Sequence, residues 1–497
     1  MTSKHLALVG GAVACLAAVF GASIAQASPW LEPGDNQARF ALQKLADRGH
    51  LDRTVSTWPV MMGSVKGALN GNSIASDAPA VGSARAYLNF EMDRQGSPGW
   101  RAEYELAAVS EPTFVRDFQA APRENGVTSL NLQWQGEALA LGLKPTFAAN
   151  PEDDQSYRLD GSYIAGTAGN WVVGAGAIDR WWGPGWQSSL ILSNNARPLP
   201  AVWINRKDAT APESDWLEWV GPWDFTVFAG QLIDDRVIPR AKLIGMRLTL
   251  RPIEGLDIGF SRAIMLGGQG RSEGVSTLWK AFIGDDNDTE SEQPGNQLGS
   301  IDIRYGFGLG EQSLGFYTQI MGEDEAGYAP AKKSWLLGVD ATSQLMDSDQ
   351  QWFFEFSNTL ADDILGDVST NVAYEHSQYR TGYRYNGRNM ASTFEGDAES
   401  FTVGVFNFFP EGQNLSAAVS YMDLNIDGTN NTVITADDVF YNIPSDNQQV
   451  ALLSLGYGTQ FLNGWLDLTA QATDKKIKFL SGEKDQWSVG AAWRYRF

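Results

Sequence analysis

One stretch of the chain, Asp179–Arg206, concentrates side chains that could bind a carbohydrate. Tryptophan rings can stack on sugar rings, while asparagine and arginine make paired hydrogen bonds that fix the orientation of a polar ligand. The sequence Gly183-Pro184-Gly185 interrupts the stretch and indicates an irregular loop. We expect this loop either to bind a polysaccharide or to plug a lumen. Its candidate binding residues are Trp181, Trp182, Trp186, Asn194, Asn195 and Arg197.

A second candidate binding surface is Tyr379–Arg388, which mixes arginine with tyrosine. We predict a strand over Asn371–Arg380, and strand alternation carried onward would put Arg380 and Arg384 on one face. A basic row of this kind suits an acidic sugar, and the tyrosines could stack on its rings. The candidate residues of this surface are Tyr379, Arg380, Tyr383, Arg384 and Arg388.

Both surfaces also have a structural explanation that the sequence leaves open. Tryptophans are common in the aromatic girdles of membrane barrels, where they contact the lipid headgroups. Arginines that line a barrel can pair with carboxylates on facing strands. A binding role and a structural role therefore both remain possible for each candidate residue.

Neither catalysis nor a metal centre is indicated. His50 and His376 lack the spacing of paired metal ligands, and there is no nucleophile elbow. The segment Asp423–Gly428 begins like a calcium loop, but Ile434 stands where that loop needs a glutamate. The acidic segment Gly284–Gln293 is interpreted as a solvated loop face. We therefore expect no enzyme activity, no cofactor and no bound metal.

The strand that must organise these loops is the last one, Gln486–Phe497. Its alternate residues from Trp487 to Phe497 are apolar and end in aromatics, whereas the opposite face is small and carries Arg494 and Arg496. An apolar-out, polar-in strand of this kind is typical of a transmembrane β-barrel. A final phenylalanine is similar to the signal that the barrel-assembly machinery of the outer membrane recognises.

The chain divides into three predicted parts. Residues 1–27 have the features of a cleaved signal peptide, and residues 28–80 form a small helical segment expected on the periplasmic side. Residues 81–497 follow a period of two, starting with a predicted strand at Ala84–Met92, and indicate an all-β antiparallel barrel of about 18 strands. Tight turns alternate with long polar connections such as Lys207–Gly221, which we expect on the extracellular side as plugging loops.

Composition agrees with export to the cell outer membrane. The only cysteine, Cys15, lies inside the predicted signal peptide, so no disulfide is expected. A formal net charge of −22 argues against nucleic acid as a partner. The expected partners are an acidic polysaccharide, outer-membrane lipid and lipopolysaccharide, and the barrel-assembly machinery.

Several motifs together resemble the Wzi family of outer-membrane capsule-assembly proteins. Within the tryptophan-rich stretch, Asp179–Gly185 (DRWWGPG) and Ser189–Pro200 (SLILSNNARPLP) look like the family's signature. Leu45–Gly49 (LADRG) with Ser56–Pro59 (STWP) is similar to its N-terminal helical region, and Glu375–Arg388 (EHSQYRTGYRYNGR) resembles its late strand-and-loop segment. The motifs occur in the family's order across nearly the whole chain after residue 27.

The resemblance implies a barrel closed on the outside by its own loops, with a helical bundle on the periplasmic side. It also implies a lectin that binds high-molecular-weight capsular polysaccharide and attaches it to the cell surface. Two other functions remain as alternatives. One is a channel for small acidic or sugar solutes, and the other is an envelope enzyme that trims polysaccharide or lipid.

Overall fold

The computed structural model describes residues 30–71, 79–119, 121–274, 276, 277, 279, 295–323, 332–362 and 368–497. The predicted signal peptide with Cys15 and the acidic segment Gly284–Gln293 lie outside these residues. Among the described helices, none has both the length and the apolar character needed to cross a membrane.

The described strands form a closed antiparallel barrel with eighteen spans, two of which are each split into two pieces. The last strand pairs with the first, from Gly490 opposite Val109 to Arg496 opposite Glu103, and this pairing closes the barrel. The predicted fold class is therefore confirmed. In chain order the spans are β1 (Gly99–Val109), β2 (Glu124–Gln135), β3 (Leu139–Leu143 and Thr146–Pro151), β4 (Tyr157–Arg158 and Tyr163–Ala168), β5 (Trp171–Gly176), β6 (Ala201–Arg206), β7 (Trp223–Gln231), β8 (Lys242–Ile253), β9 (Leu256–Leu266), β10 (Gly295–Leu309), β11 (Gln312–Glu323), β12 (Lys333–Leu345), β13 (Ser348–Asp362), β14 (Glu399–Phe408), β15 (Asn414–Leu424), β16 (Gln448–Phe461), β17 (Gly464–Thr473) and β18 (Trp487–Arg496).

Side chains alternate between the two faces of the barrel wall. In β13, Trp352 and Phe354 are exposed on the outer face, while Glu355 is buried on the inner face. In β18, Trp487 is exposed and Ser488 is buried, which is the alternation predicted for the closing strand. The wall therefore presents an apolar outer surface and a polar inner surface.

The tight turns lie together at one end of the barrel, and most long connections lie at the other. The prediction that all long connections lie on the extracellular side is wrong for one of them. Lys207–Gly221 lies between β6 and β7 at the tight-turn end, where Asp208 pairs with Arg53 at 3.2 Å. The backbone N–H of Ala209 also donates to Ser64 Oγ at 3.1 Å. This polar segment therefore packs against the N-terminal helical segment.

Three helices precede the barrel within the described residues: α1 (Asn36–Asp47), α2 (Met62–Gly71) and α3 (Pro79–Gly96). The side chain of Asp35 caps α1 by accepting a hydrogen bond from the Ala38 N–H at 2.8 Å. The prediction of a strand at Ala84–Met92 is wrong, because these residues belong to α3. The barrel consequently begins at Gly99 and not near residue 81. Buried apolar residues of α3 recur every three or four positions, which is the helical period, and they are Val81, Ala84, Leu88 and Met92.

Helix α1 lies inside the tight-turn end of the lumen, and nearly all of its side chains are buried. Arg304 on β10 lies between two carboxylates, 2.8 Å from Asp47 of α1 and 2.8 Å from Asp340 of β12. Lys44 of α1 pairs with Asp349 of β13 at 2.9 Å. Buried charges need such partners because they have lost their hydration. These pairs fix α1 to the barrel wall.

Replacing Arg304 tests this attachment. Arg304→Met leaves Asp47 and Asp340 buried without their shared cation, so we expect the free energy of unfolding to fall by about 3–5 kcal/mol. Urea titration of the barrel in detergent micelles, followed by tryptophan fluorescence, measures this change. The control is Arg496→Met, which breaks a partly exposed pair with Glu103 and should cost less than about 1 kcal/mol. Equal losses in the two variants would contradict a buried attachment.

Candidate functional site

Most long connections lie at the end of the barrel opposite the tight turns, which we call the loop end. Two connections from the loop end fold into the lumen and form the centre of the candidate site. We refer to residues 177–200 as the tryptophan loop and to residues 368–398 as the arginine loop. Residues 180–199 of the first and 381–395 of the second are all buried. Both predicted binding stretches therefore belong mainly to the interior of the barrel.

The barrel wall supplies hydrogen-bond acceptors for the backbone of the tryptophan loop. Glu355 on β13 accepts from the N–H groups of Trp186 at 2.7 Å and Ser188 at 2.9 Å. Gln319 on β11 accepts from the Leu190 N–H at 2.9 Å. A backbone that leaves water must find such partners, since an unpaired buried N–H is costly. Inward-facing polar residues of the strands thus fix the path of the loop.

Arg39 joins helix α1 to the same loop. Its guanidinium lies 4.1 Å from the Trp186 ring centroid and 4.6 Å from that of Phe118, and its Nη2 donates to the Pro184 carbonyl at 2.6 Å. Cation–π contacts of this kind strengthen when the cation is desolvated. The helical segment and the tryptophan loop therefore contact each other directly through the middle of the lumen.

The two loops and helix α1 together fill the lumen, and we call them the plug. The three candidate tryptophans are fully buried in this plug. Trp181 Nε1 donates to the Gly185 carbonyl at 3.1 Å, and Trp181–Trp182 pairs with Thr57–Trp58 as a short two-stranded sheet. They are not girdle residues, because they lie inside the wall. Their predicted contact with a polysaccharide stays a prediction, and the plugging role is the one that their positions support.

The two candidate asparagines bind backbone carbonyls. Asn194 Nδ2 donates to the Phe118 carbonyl at 2.9 Å, and Asn195 Nδ2 donates to that of Asn389 at 2.9 Å. The carbonyls of the two asparagines in turn accept from Arg116 Nη1 at 2.5 and 2.6 Å. Asn195 thereby connects the tryptophan loop to the arginine loop.

Two of the candidate arginines form buried ion pairs with a neighbouring loop. Arg197 contacts Asp160 at 2.9 Å and also pairs with Asp153. Arg388 contacts Glu152 at 2.8 Å. Their guanidinium groups are therefore already engaged by carboxylates, which matches the structural explanation considered from the sequence.

The predicted strand at Asn371–Arg380 is wrong, since this segment is irregular. Arg380 and Arg384 consequently do not share a face: Arg380 is exposed, whereas Arg384 is buried. Arg384 lies 2.8 Å from each of Glu375 and Glu395, within its own loop. The predicted strand alternation does not apply here, because ion pairs and hydrogen bonds within the loop, and not pairing in a sheet, determine the backbone path.

The two candidate tyrosines use their hydroxyls to hold other segments. Tyr379 Oη donates to the Gly267 carbonyl at 3.0 Å, and Tyr383 Oη donates to the Ile191 carbonyl at 3.1 Å. Both rings are buried. Of the candidate residues in both stretches, Arg380 is the one whose side chain lies exposed at the loop end.

The calcium-like segment does not gather its oxygens around one point. Asp423 accepts from Asn447 at 2.9 Å, while Asn425 donates to the Pro444 carbonyl at 3.0 Å. Within the described residues, no group of three or more His, Cys, Asp or Glu side chains could hold a metal ion. His376 has a structural use, since its Nδ1 accepts from the Gln378 N–H at 3.0 Å.

Sequence reasoning missed the residues that hold the loops in place, above all Glu355, Gln319 and Arg39. The alternation of β13 and β11 could have indicated that Glu355 and Gln319 face inward, but it carries no information on which loop they meet. Nothing in the pattern of α1 distinguishes Arg39 from a solvent-exposed helical arginine.

Comparison with known proteins agrees with this architecture. The family model for the capsule assembly protein Wzi matches residues 100–487. An uncharacterized 55.8 kDa protein in the cps region of Klebsiella pneumoniae is 30% identical over 335 residues, which are 65% of this chain. The chain spans 64% of the length of this curated relative.

A solved structure has the same fold. Wzi of Escherichia coli, described as an outer membrane protein involved in group 1 capsule assembly and a carbohydrate-binding β-barrel, is similar with a TM-score of 0.81. The identity is 24%, and the superposition covers 94% of this chain and 100% of that chain. At this identity the likeness establishes the shared barrel fold.

The arginine loop is expected to respond to pH through Asp397. Burial, with Asp427 and Glu375 nearby, raises the pKa of Asp397 from 3.8 to about 7, although the Asn371 N–H donates to its Oδ2 at 2.8 Å. When the arginine loop is packed in the lumen (closed), Asp397 keeps its proton up to about pH 7. When the loop moves out into solvent (open), Asp397 releases the proton above its ordinary pKa of 3.8. Closure is therefore most favourable below pH 3.8 and weakens as pH rises towards about 7.

Hydrogen exchange of the Asn371 and Ile426 amides, which bond to Asp397, measures this effect. After correction for intrinsic exchange, their protection should fall as pH rises through the window. Asp397→Asn removes the titrating group and should give protection that is independent of pH. A dependence that survives in this variant would show that another group is responsible.

Proposed function

The chain belongs to the Wzi family of capsule assembly proteins, and from that premise we propose that it is an outer-membrane lectin. In this proposal the protein binds capsular or other acidic polysaccharide at the loop end of its barrel and holds it at the cell surface. The buried candidate residues keep the loops in a fixed arrangement, and the exposed residues of the same loops contact the polysaccharide.

The observation that carries the proposal is the filled lumen. The tryptophan loop is bound to the wall at Glu355 and to helix α1 at Arg39. The arginine loop is bound to its neighbours by Arg384 and Arg388. A pathway for solutes would need this space to be open, whereas a rigid binding surface benefits from its being filled.

The charges exposed at the loop end support a polysaccharide ligand of mixed polarity. Arg240 and Arg380 are exposed there and could bind carboxylates of an acidic sugar. Asp437 and Asp438 are exposed on a neighbouring loop and could accept hydrogen bonds from sugar hydroxyls. Arg240 also has a positive φ of 60°, a conformation that is costly for arginine and is more frequent at functional sites.

An outer-membrane location is supported by the outer surface of the barrel. Large apolar side chains are exposed on the wall, and Trp100, Trp216 and Trp219 are exposed at the tight-turn end, as in an aromatic girdle. Lipid and lipopolysaccharide are the partners that such a surface would contact.

A channel for small solutes and an envelope enzyme are the competing functions. The channel is disfavoured by the two loops and the helix inside the lumen. Catalysis is disfavoured because His376 Nδ1 accepts a hydrogen bond from the Gln378 N–H within a turn. Burial and the nearby Arg271 also lower the pKa of His376 to about 4. We therefore infer binding without a chemical step.

Deleting the gene tests the proposed function. We expect total polysaccharide to be unchanged but to move from the cell surface into the medium, because synthesis would continue without an anchor. Complementation with the intact gene should restore the cell-bound fraction. A deletion strain that keeps its normal surface polysaccharide would contradict the proposal.

Two arginine variants separate a structural role from a contact role. Arg384→Met leaves Glu375 and Glu395 without their cation, so it should increase hydrogen exchange across the arginine loop and release polysaccharide. Arg380→Met, the matched control on the same loop, should leave exchange unchanged. Any loss of binding that it causes should shrink as salt is added, since a direct charge contact is screened. Similar exchange in both variants would contradict this assignment.

A further inference from the structure

A small cavity lies between the tryptophan loop and the barrel wall. Its volume is about 20 Å³, which is room for one group the size of a water molecule. Its lining is partly apolar and partly charged and includes Asp179, Arg180, Ser193, Phe228 and Met390. None of the roles described above uses this cavity.

Two charged residues of the lining have a buried polar atom without a hydrogen-bond partner. Arg180 Nη1 donates to the Ile178 carbonyl at 3.1 Å, but its Nη2 has no hydrogen-bond acceptor. Asp179 Oδ1 accepts no hydrogen bond and lies 3.9 Å from Arg123 Nη2. A buried donor and a buried acceptor that line one cavity are costly unless a further group binds both.

Asp179, which lines the cavity, has a side chain that is 41% exposed, so part of the lining reaches the solvent-accessible surface. Strands β5 and β6, which lead into and out of the tryptophan loop, have only 6 residues each. The barrel wall is therefore low at this point. A polysaccharide chain at the surface could insert a single substituent without displacing the plug.

We propose that this cavity is a subsite for one hydroxyl group of a sugar residue in the bound polysaccharide. A hydroxyl is the size of a water molecule, accepts a hydrogen bond from Arg180 Nη2 and donates one to Asp179 Oδ1. The inference rests on the proposed polysaccharide binding and adds the place and the chemical group that is recognised.

A neutral hydroxyl fits this cavity better than an anionic group does. A carboxylate or phosphate would lie beside the Asp179 carboxylate and be repelled by it. Burial lowers the pKa of Arg180 to about 10, so its guanidinium remains charged near neutral pH. The guanidinium also lies 4.5 Å from the Phe228 ring centroid, and this contact holds it in place. The acidic groups of a polysaccharide would bind elsewhere, at exposed arginines.

The test uses the purified full-length protein in detergent and short oligosaccharides prepared from the surface polysaccharide of the producing cell. Short fragments avoid multivalent binding, which would hide a change at one subsite. Calorimetric titration compares the wild type with Arg180→Met, Arg180→Lys and Asp179→Asn. Lys476→Met is the matched control, because it removes an exposed cation, paired with Asp485, from the connection between β17 and β18 at the same end of the barrel. Thermal unfolding of each variant checks that the barrel and its plug are intact.

We expect Arg180→Met to bind about tenfold more weakly, as the loss of one charge-assisted hydrogen bond implies. Asp179→Asn should also weaken binding, and Arg180→Lys should bind more tightly than Arg180→Met. Lys476→Met should stay within about twofold of the wild type.

Unchanged binding by Arg180→Met and Asp179→Asn, with a wild type that binds, would mean that the cavity holds only water, and the inference would be wrong. An equal loss in Lys476→Met would also overturn it, because the effect would then be one of general charge. If the wild type does not bind these oligosaccharides at all, the proposed function fails as well.

Discussion

An eighteen-stranded barrel encloses a wide lumen, and the rest of this structure depends on how that space is filled. A porin leaves such a lumen to water. This chain fills it with its own loops and with one helix, which removes many backbone N–H and carbonyl groups from water. Each of those groups needs a protein partner, so the inner face of the wall carries residues such as Glu355, Gln319 and Arg304 at the positions where the plug requires them.

The plug acts as one packed body because its parts bind each other as well as the wall. Arg39 connects helix α1 to the tryptophan loop, and Asn195 connects that loop to the arginine loop. Segments that begin at opposite ends of the barrel are thus in contact near its middle. A surface built on this body keeps its shape before a ligand arrives, which would lower the entropic cost of binding the flexible polysaccharide that we propose as its ligand.

Much of the fold could be predicted because it depends on local patterns. The alternation of Gln486–Phe497 identified the closing strand, and the glycine-containing tight turns marked one end of the barrel. Prediction failed where tertiary contacts decide the outcome. Ala84–Met92 has apolar residues that fit two periods, and packing against α1 selects the helical one. Lys207–Gly221 looks like any polar loop until its contacts with the helical segment are known.

The candidate site shows the same division between local and tertiary information. The sequence identified the two stretches that fill the lumen but not the side of the wall that their residues face. Arg384 and Arg380 are four positions apart in one motif, yet one is buried between two glutamates and the other is exposed. The partners of a loop residue come from strands that are distant in sequence. The composition of the loop alone therefore could not distinguish a residue that contacts a ligand from one that holds the loop in place.

The most direct measurement of the central claim, a barrel filled by its own chain, is the conductance of the purified protein in planar lipid bilayers. The filled lumen predicts insertion without steady open-channel current, in the wild type and across a range of salt concentrations. A stable, reproducible open-channel conductance in the wild-type protein would contradict it, because the loops and helix α1 could not then occupy the lumen as described.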